Sequence, residues 1–173
     1  MKIWIAALAA SLTLFSANAA QACMPMPPPP QEEGESAEAH AARVTAWQAA
    51  RDAEDAQFRH DRQVRLWDDA DSVFLARIER VRPYSYAYGE SQRVTLRSVR
   101  TLKGRAYTNR FTLNYTEATS CGPLPGFDAI TGNVGDTFVI FIRGGRPHQS
   151  RVQGTAAPSA VTDERIRALL AAG

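Results

Sequence analysis

Two cysteines and three histidines in 173 residues leave little material for a metal centre. His40, His60 and His148 show no H-x-x-x-H ligand spacing, and no Cys-His cluster of zinc-site spacing occurs. The sequence also lacks a G-x-S-x-G elbow, a phosphate-binding loop and a dinucleotide fingerprint. It therefore offers no catalytic residues and no resident cofactor, and the protein is expected not to be an enzyme. An excess of one charge is missing too: 20 lysines and arginines face 18 acids, so neither nucleic acid nor an anionic membrane is implied as a partner. After the first residues no apolar run approaches the length that crosses a bilayer, and no internal repeat is visible.

What is present begins with an export signal over residues 1–22. Lys2 supplies the positive end and Ile3 to Phe15 the apolar stretch. Ala17-Asn18-Ala19 and Ala20-Gln21-Ala22 are alternative small-residue cleavage sites. Cleavage at the second makes Cys23 the first residue of the processed protein; cleavage at the first leaves three residues ahead of it. A lipid-anchored Cys23 is a rival, although Ala20 stands where acylation signals favour a larger aliphatic residue. The expected location is the periplasm or the extracellular space. In an oxidising compartment two cysteines are most simply one disulfide, Cys23 to Cys121. Closing a loop of about 100 residues in this way stabilises a fold by roughly 4–5 kcal/mol in the chain-entropy account.

About 150 residues follow the signal, one domain's worth. A proline-rich arm occupies 23–31, extended because each ring fixes φ and removes a donor. Residues 32–68 are rich in Ala, Glu and Arg with no internal proline, which predicts a long helix. Asp55 with Arg59 and Asp61 with Arg65 have supportive i,i+4 spacing. Val44, Trp47, Phe58, Val64 and Trp67 form a thin apolar stripe to lay the helix on the domain, with His40 and His60 exposed. Over 69–157 the period changes. "SVFLARIERV", "QRVTLRSVRTL", "RFTLNY" and "DTFVIFIR" predict short strands of a mainly β antiparallel barrel or sandwich, with a bulge where Ser98-Val99 breaks the alternation. Residues 158–173 predict a short closing helix N-capped by Thr162 and docked by Ile166, Leu169 and Leu170.

Placed on these elements, "CMPMPPPP", "DDADSVFLARI", "VTLRSVRTLKG", "TSCG" and "GDTFVIF" give the chain a pattern that resembles the tissue inhibitors of metalloproteinases, within the wider netrin-like module. The resemblance covers Cys23 to Pro30 and about Asp69 to Arg143. Pro25 stands where that family has a second early cysteine. The resemblance implies an OB-like five-stranded barrel, here with a long N-terminal helical insertion and a short C-terminal helix. It also implies that the free amine and carbonyl oxygen of Cys23 chelate the catalytic zinc of a target protease. Met24 then enters the adjoining pocket, with Thr119, Ser120, Cys121 and Gly122 as the neighbouring ridge. The protein would hold no metal of its own.

Other features carry weaker chemistry. Tyr84, Tyr86 and Tyr88 fall on one side of an extended strand and suit partner contact, or belong to an ordinary hairpin turned at Gly89. "IRGGRPH" is a turn, or an anion site made of backbone amides. The sulfurs of Cys23, Met24 and Met26 are a soft set for Cu(I), which a disulfide would dismantle. From another functional class, the chain is a non-inhibitory structural or assembly component of the cell envelope, with an envelope protein as its partner.

Overall fold

A computed structural model describes residues 26–86, 89–119 and 122–172. Helix and strand occupy similar shares of the chain, so the fold is mixed α/β rather than mainly β. Helix α1, Ala37–Asp69, runs unbroken for 33 residues, about 50 Å at the α-helical rise. Ser36 caps it by accepting from the Ala39 amide at 3.2 Å. Ala70 ends it by turning into extended backbone.

Seven strands follow: β1 Ser72–Tyr86, β2 Gly89–Lys103, β3 Arg110–Leu113, β4 Thr116–Thr119, β5 Gly122–Pro125, β6 Thr137–Ile142 and β7 Val152–Ala156. Five of them form one antiparallel sheet in the order β3-β2-β1-β6-β7, while β4 and β5 pair separately. The long β1 belongs to both halves, pairing with β2 along its length and with β6 over Ser72–Arg77. The expected bulge is present: Leu75 pairs with Arg100 and Ala76 with Ser98, so Val99 is skipped and 48% exposed. The expected turn at Gly89 is also present, with φ at 142°.

Alternation sets two cores. One face of the sheet packs Phe74, Ile78, Leu96, Phe111, Leu113 and Ile140 around Ala129 and Ile130 of a 3-10 turn, Asp128–Thr131. The Ala129 amide donates to the buried Thr155 hydroxyl at 3.1 Å, which fixes this plug to β7. Among the described residues, the other face is covered where the start of β1 and the end of β2 lie beside β6 and β7. There Val73, Val139, Phe141 and Ala156 meet Leu66 and Trp67 of α1 and Ile166 of α2, Glu164–Ala171. Val73, Val139, Phe141 and Ile166, fully buried there, contribute about 1.5–3 kcal/mol each on burial.

Several expectations need correction. Helix α2 is capped by Asp163, not Thr162, and a separate 3-10 turn, Pro158–Ala160, precedes it. Asp55–Arg59 and Asp61–Arg65 make no ion pair; Gln57 donates to Asp61 at 2.8 Å instead, as Gln48 does to Asp52 at 2.9 Å. The apolar stripe does not lay α1 on the domain along its length. Docking is confined to its last two turns, and Phe58 is left 64% exposed. His40 and His60 are half-buried, and His40 Nε2 lies 3.0 Å from the Pro29 carbonyl. Strand β7 was not expected because Gln153-Gly154 interrupts its apolar pattern. The missing Cβ at Gly154 is what admits Leu66, whose nearest carbon would stand 2.8 Å from one.

Candidate functional site

The ridge predicted beside the zinc-binding terminus falls on the β4–β5 ribbon. Thr119 pairs with Gly122 at its end, and Thr116 with Pro125 at its base. Ser120 and Cys121, which join these strands, lie outside the described residues, as do Cys23 and Met24. The proposed disulfide and the terminus itself therefore fall there too. The first described part of the arm folds back along α1. Arg43 donates to the Pro30 carbonyl at 2.7 Å and pairs with Glu35 at 2.7 Å. That hydrogen bond holds the Glu35 carboxyl at about 2, well below its usual value. Composition alone gave no sign of this arm-to-helix contact. Met26, the remaining described member of the sulfur set, is 61% exposed.

Of the three tyrosines, Tyr84 is half-buried with the Arg93 guanidinium 4.6 Å from its ring centre, so it is not a bare contact residue. The backbone of Tyr86 closes the β1–β2 hairpin opposite Gly89, and Tyr88 lies outside the described residues. At the "IRGGRPH" segment, Gly144 and Gly145 have φ of 86° and 107°. The Gly144 amide already donates to the Asp71 carboxylate at 2.6 Å, so that segment is a turn tied to the start of β1.

A second region is assembled by strand register and was not anticipated. Arg77 of β1 pairs opposite Arg97 of β2, which pairs opposite Arg110 of β3. Two steps along, Arg82 pairs opposite Arg93, with Arg80 opposite Thr95 between these rows. All six arginines are exposed, on the part of the sheet that no helix of the described residues covers. The one acid among them is Glu79, at a bulge in β1, which pairs with Arg97 at 2.8 Å and also with Arg110. The hydrogen bond from Arg110 holds its carboxyl below the ordinary range. Arg77, Glu79, Arg80, Arg110 and Val134 line a groove of about 490 Å³. The signal was the alternation of arginine with apolar residues in "ARIERVR" and "RVTLR", which an overall charge balance averages away. Among the described residues, no three His, Cys, Asp or Glu side chains come together. No helix of the described residues is long and apolar enough to cross a membrane.

No protein-family model matches the sequence, and no curated protein matches it. The chemistry must be argued from these residues.

Proposed function

We propose that the chain is an exported, non-enzymatic protein-binding module whose working part is the first residue of the processed protein. On this reading the sheet is an OB-like barrel of the netrin-like type. Cys23 chelates the catalytic zinc of a target metalloprotease through its amine and carbonyl oxygen, and Met24 fills the adjoining pocket. Support comes from the strand order β3-β2-β1-β6-β7, with one long strand shared by both halves. This is the order of an OB-like barrel laid open between its third and last strands. It leaves β4 and β5 as a separate ribbon, and the residues that connect them in sequence include Cys121. Catalytic zinc keeps a coordination position open for water, and a preplaced nitrogen and oxygen displace that water. A Cys23–Cys121 bond would hold the pair in place and lower the ordering cost of binding.

Intact mass of the exported protein is the deciding measurement. A chain beginning at Cys23, two mass units light for one disulfide, is expected; a start at Ala20, or added lipid, ends the inhibitor reading. Inhibition of zinc proteases should then weaken as pH falls below the α-amino pKa of about 8, since only the neutral amine binds metal. An extra alanine before Cys23 should abolish it. A second reading, assembly within the cell envelope, is favoured by α1, whose Phe58 is exposed. It requires partners that survive the added alanine and are lost when 33–67 are deleted. A copper-handling role would need Cu(I) bound by Cys23, Met24 and Met26 with the thiol reduced.

A further inference from the structure

The arginine face is an energetic liability in the isolated chain. Like charges directly opposite on neighbouring strands destabilise a sheet, and here one row carries three arginines and another two. Glu79 answers only Arg97 and Arg110. Arg77, Arg80 and Arg82 make no ion pair among the described residues. Arginine's planar fork is suited to carboxylates, so the surface fits an acidic polypeptide.

The chain carries such a segment at its other end. Between residues 26 and 55 seven acids outnumber two arginines. Glu54 and Asp55 are exposed, without ion pairs among the described residues, and stand four and three positions before Phe58. That spacing puts both carboxylates beside the exposed ring, on its N-terminal side, while Arg62 stands one turn beyond it on the same face. The groove offers the complement: Val134, 63% exposed, lines it together with Arg77, Arg80 and Arg110, which outnumber its single acid, Glu79. An apolar anchor flanked by acids matches an apolar wall flanked by arginines, which is how a compact interface centre is built. Because α1 is held only at its last turns, Phe58 stays exposed in its own chain.

We propose that the arginine face is a docking surface for a second copy of this chain, taking Glu54, Asp55 and Phe58 of the other copy's α1 into the groove. Two copies that exchange helices close a pair, whereas one-way exchange propagates. The inference is independent of the zinc-chelating reading.

Sedimentation velocity of the processed protein at low and high salt tests it. Association is expected at low salt and should weaken at least about tenfold at high salt, because the contacts are charged. The R77E/R110E and E54K/D55K variants should each be monomeric while keeping the parent's circular dichroism. Mixing them should restore association, since each supplies the surface the other has lost. F58A should weaken it with little change in salt dependence. A parent that stays monomeric at low salt, or variants that associate undiminished, overturns the proposal. So does a monomeric parent that binds vesicles of anionic phospholipid through Arg77 and Arg110, which would make the occupant a membrane surface.

Discussion

The two ends of the β1–β2 ribbon use cations in opposite ways. At the covered end, Lys103 donates to the Trp67 carbonyl at 2.6 Å, at the C-terminus of α1, a helix with no basic residue in its own last turn. Arg100 donates to the Leu169 and Leu170 carbonyls of α2 at 3.1 and 3.2 Å. Each cation answers the negative end of a helix dipole and carbonyls that have no intrahelical partner. At the bare end, among the described residues, Arg77, Arg80, Arg82, Arg93, Arg97 and Arg110 meet no helix; Arg97 and Arg110 share Glu79, Arg93 lies over the Tyr84 ring, and Arg77, Arg80 and Arg82 make no ion pair. Cations on one strand pair thus contribute to the fold at one end and burden it at the other. A charge with no structural employment is where an external partner is to be sought.

Substitutions sharpen that contrast. Phe141→Ala, beneath α1 and α2, is expected to destabilise by about 3–5 kcal/mol in denaturant unfolding, because the phenyl is wholly buried. Gly104→Ala should follow at about 2–3 kcal/mol. Gly104 has φ of 72°, and a Cβ there would stand 2.0 Å from the Asp71 carbonyl oxygen, so backbone must move. Lys103→Met keeps the apolar stem against Trp67 but removes the charge from the end of α1, for about 1 kcal/mol.

A smaller effect is expected in acid. Arg165 pairs with Asp163 at 2.6 Å and Asp68 at 2.7 Å, and its hydrogen bonds hold the Asp163 carboxyl below its ordinary value. A carboxylate depressed in the folded state stabilises above its unfolded pKa of about 4, and that contribution is lost as pH falls through the folded value. The stability difference between the parent and Arg165→Met should therefore be full near neutrality and shrink below about pH 4. Smallest of all, Arg97→Thr on the bare end should change stability by less than about 0.5 kcal/mol, or raise it by relieving the row. A large loss there would mean that the arginines hold the sheet together, and the contrast between the two ends would fail.

Legibility in the sequence followed the range of the interaction. Val99 announced its bulge because two neighbouring positions broke an alternation that the strand otherwise kept. Helix α1 was legible from alanine, glutamate and arginine, yet its seating was not. The five stripe residues look alike in sequence, while only the last turns meet a second apolar surface. Of the pairs spaced for salt bridges, Asp61–Arg65 was pre-empted by Gln57, one turn before the acid. Strand β7 was hidden by Gly154, which is needed for contact with a helix distant in sequence. Of the candidate site, the β4–β5 ribbon that carries Thr119 and Gly122 lies within the described residues, whereas Cys23, Met24, Ser120 and Cys121 do not.

Local composition determined the long helix, the main strands and the turns, because propensity, alternation and glycine's backbone freedom act over a few residues. Which helix ends meet Lys103 and Arg100, and which arginines gather without partners, was settled by strand register and by how far the helices reach across the sheet. Coulomb interactions depend on distance in space. A chain balanced overall can therefore carry an acidic stretch leading into and along α1 and a basic face, and only the tertiary structure separates them.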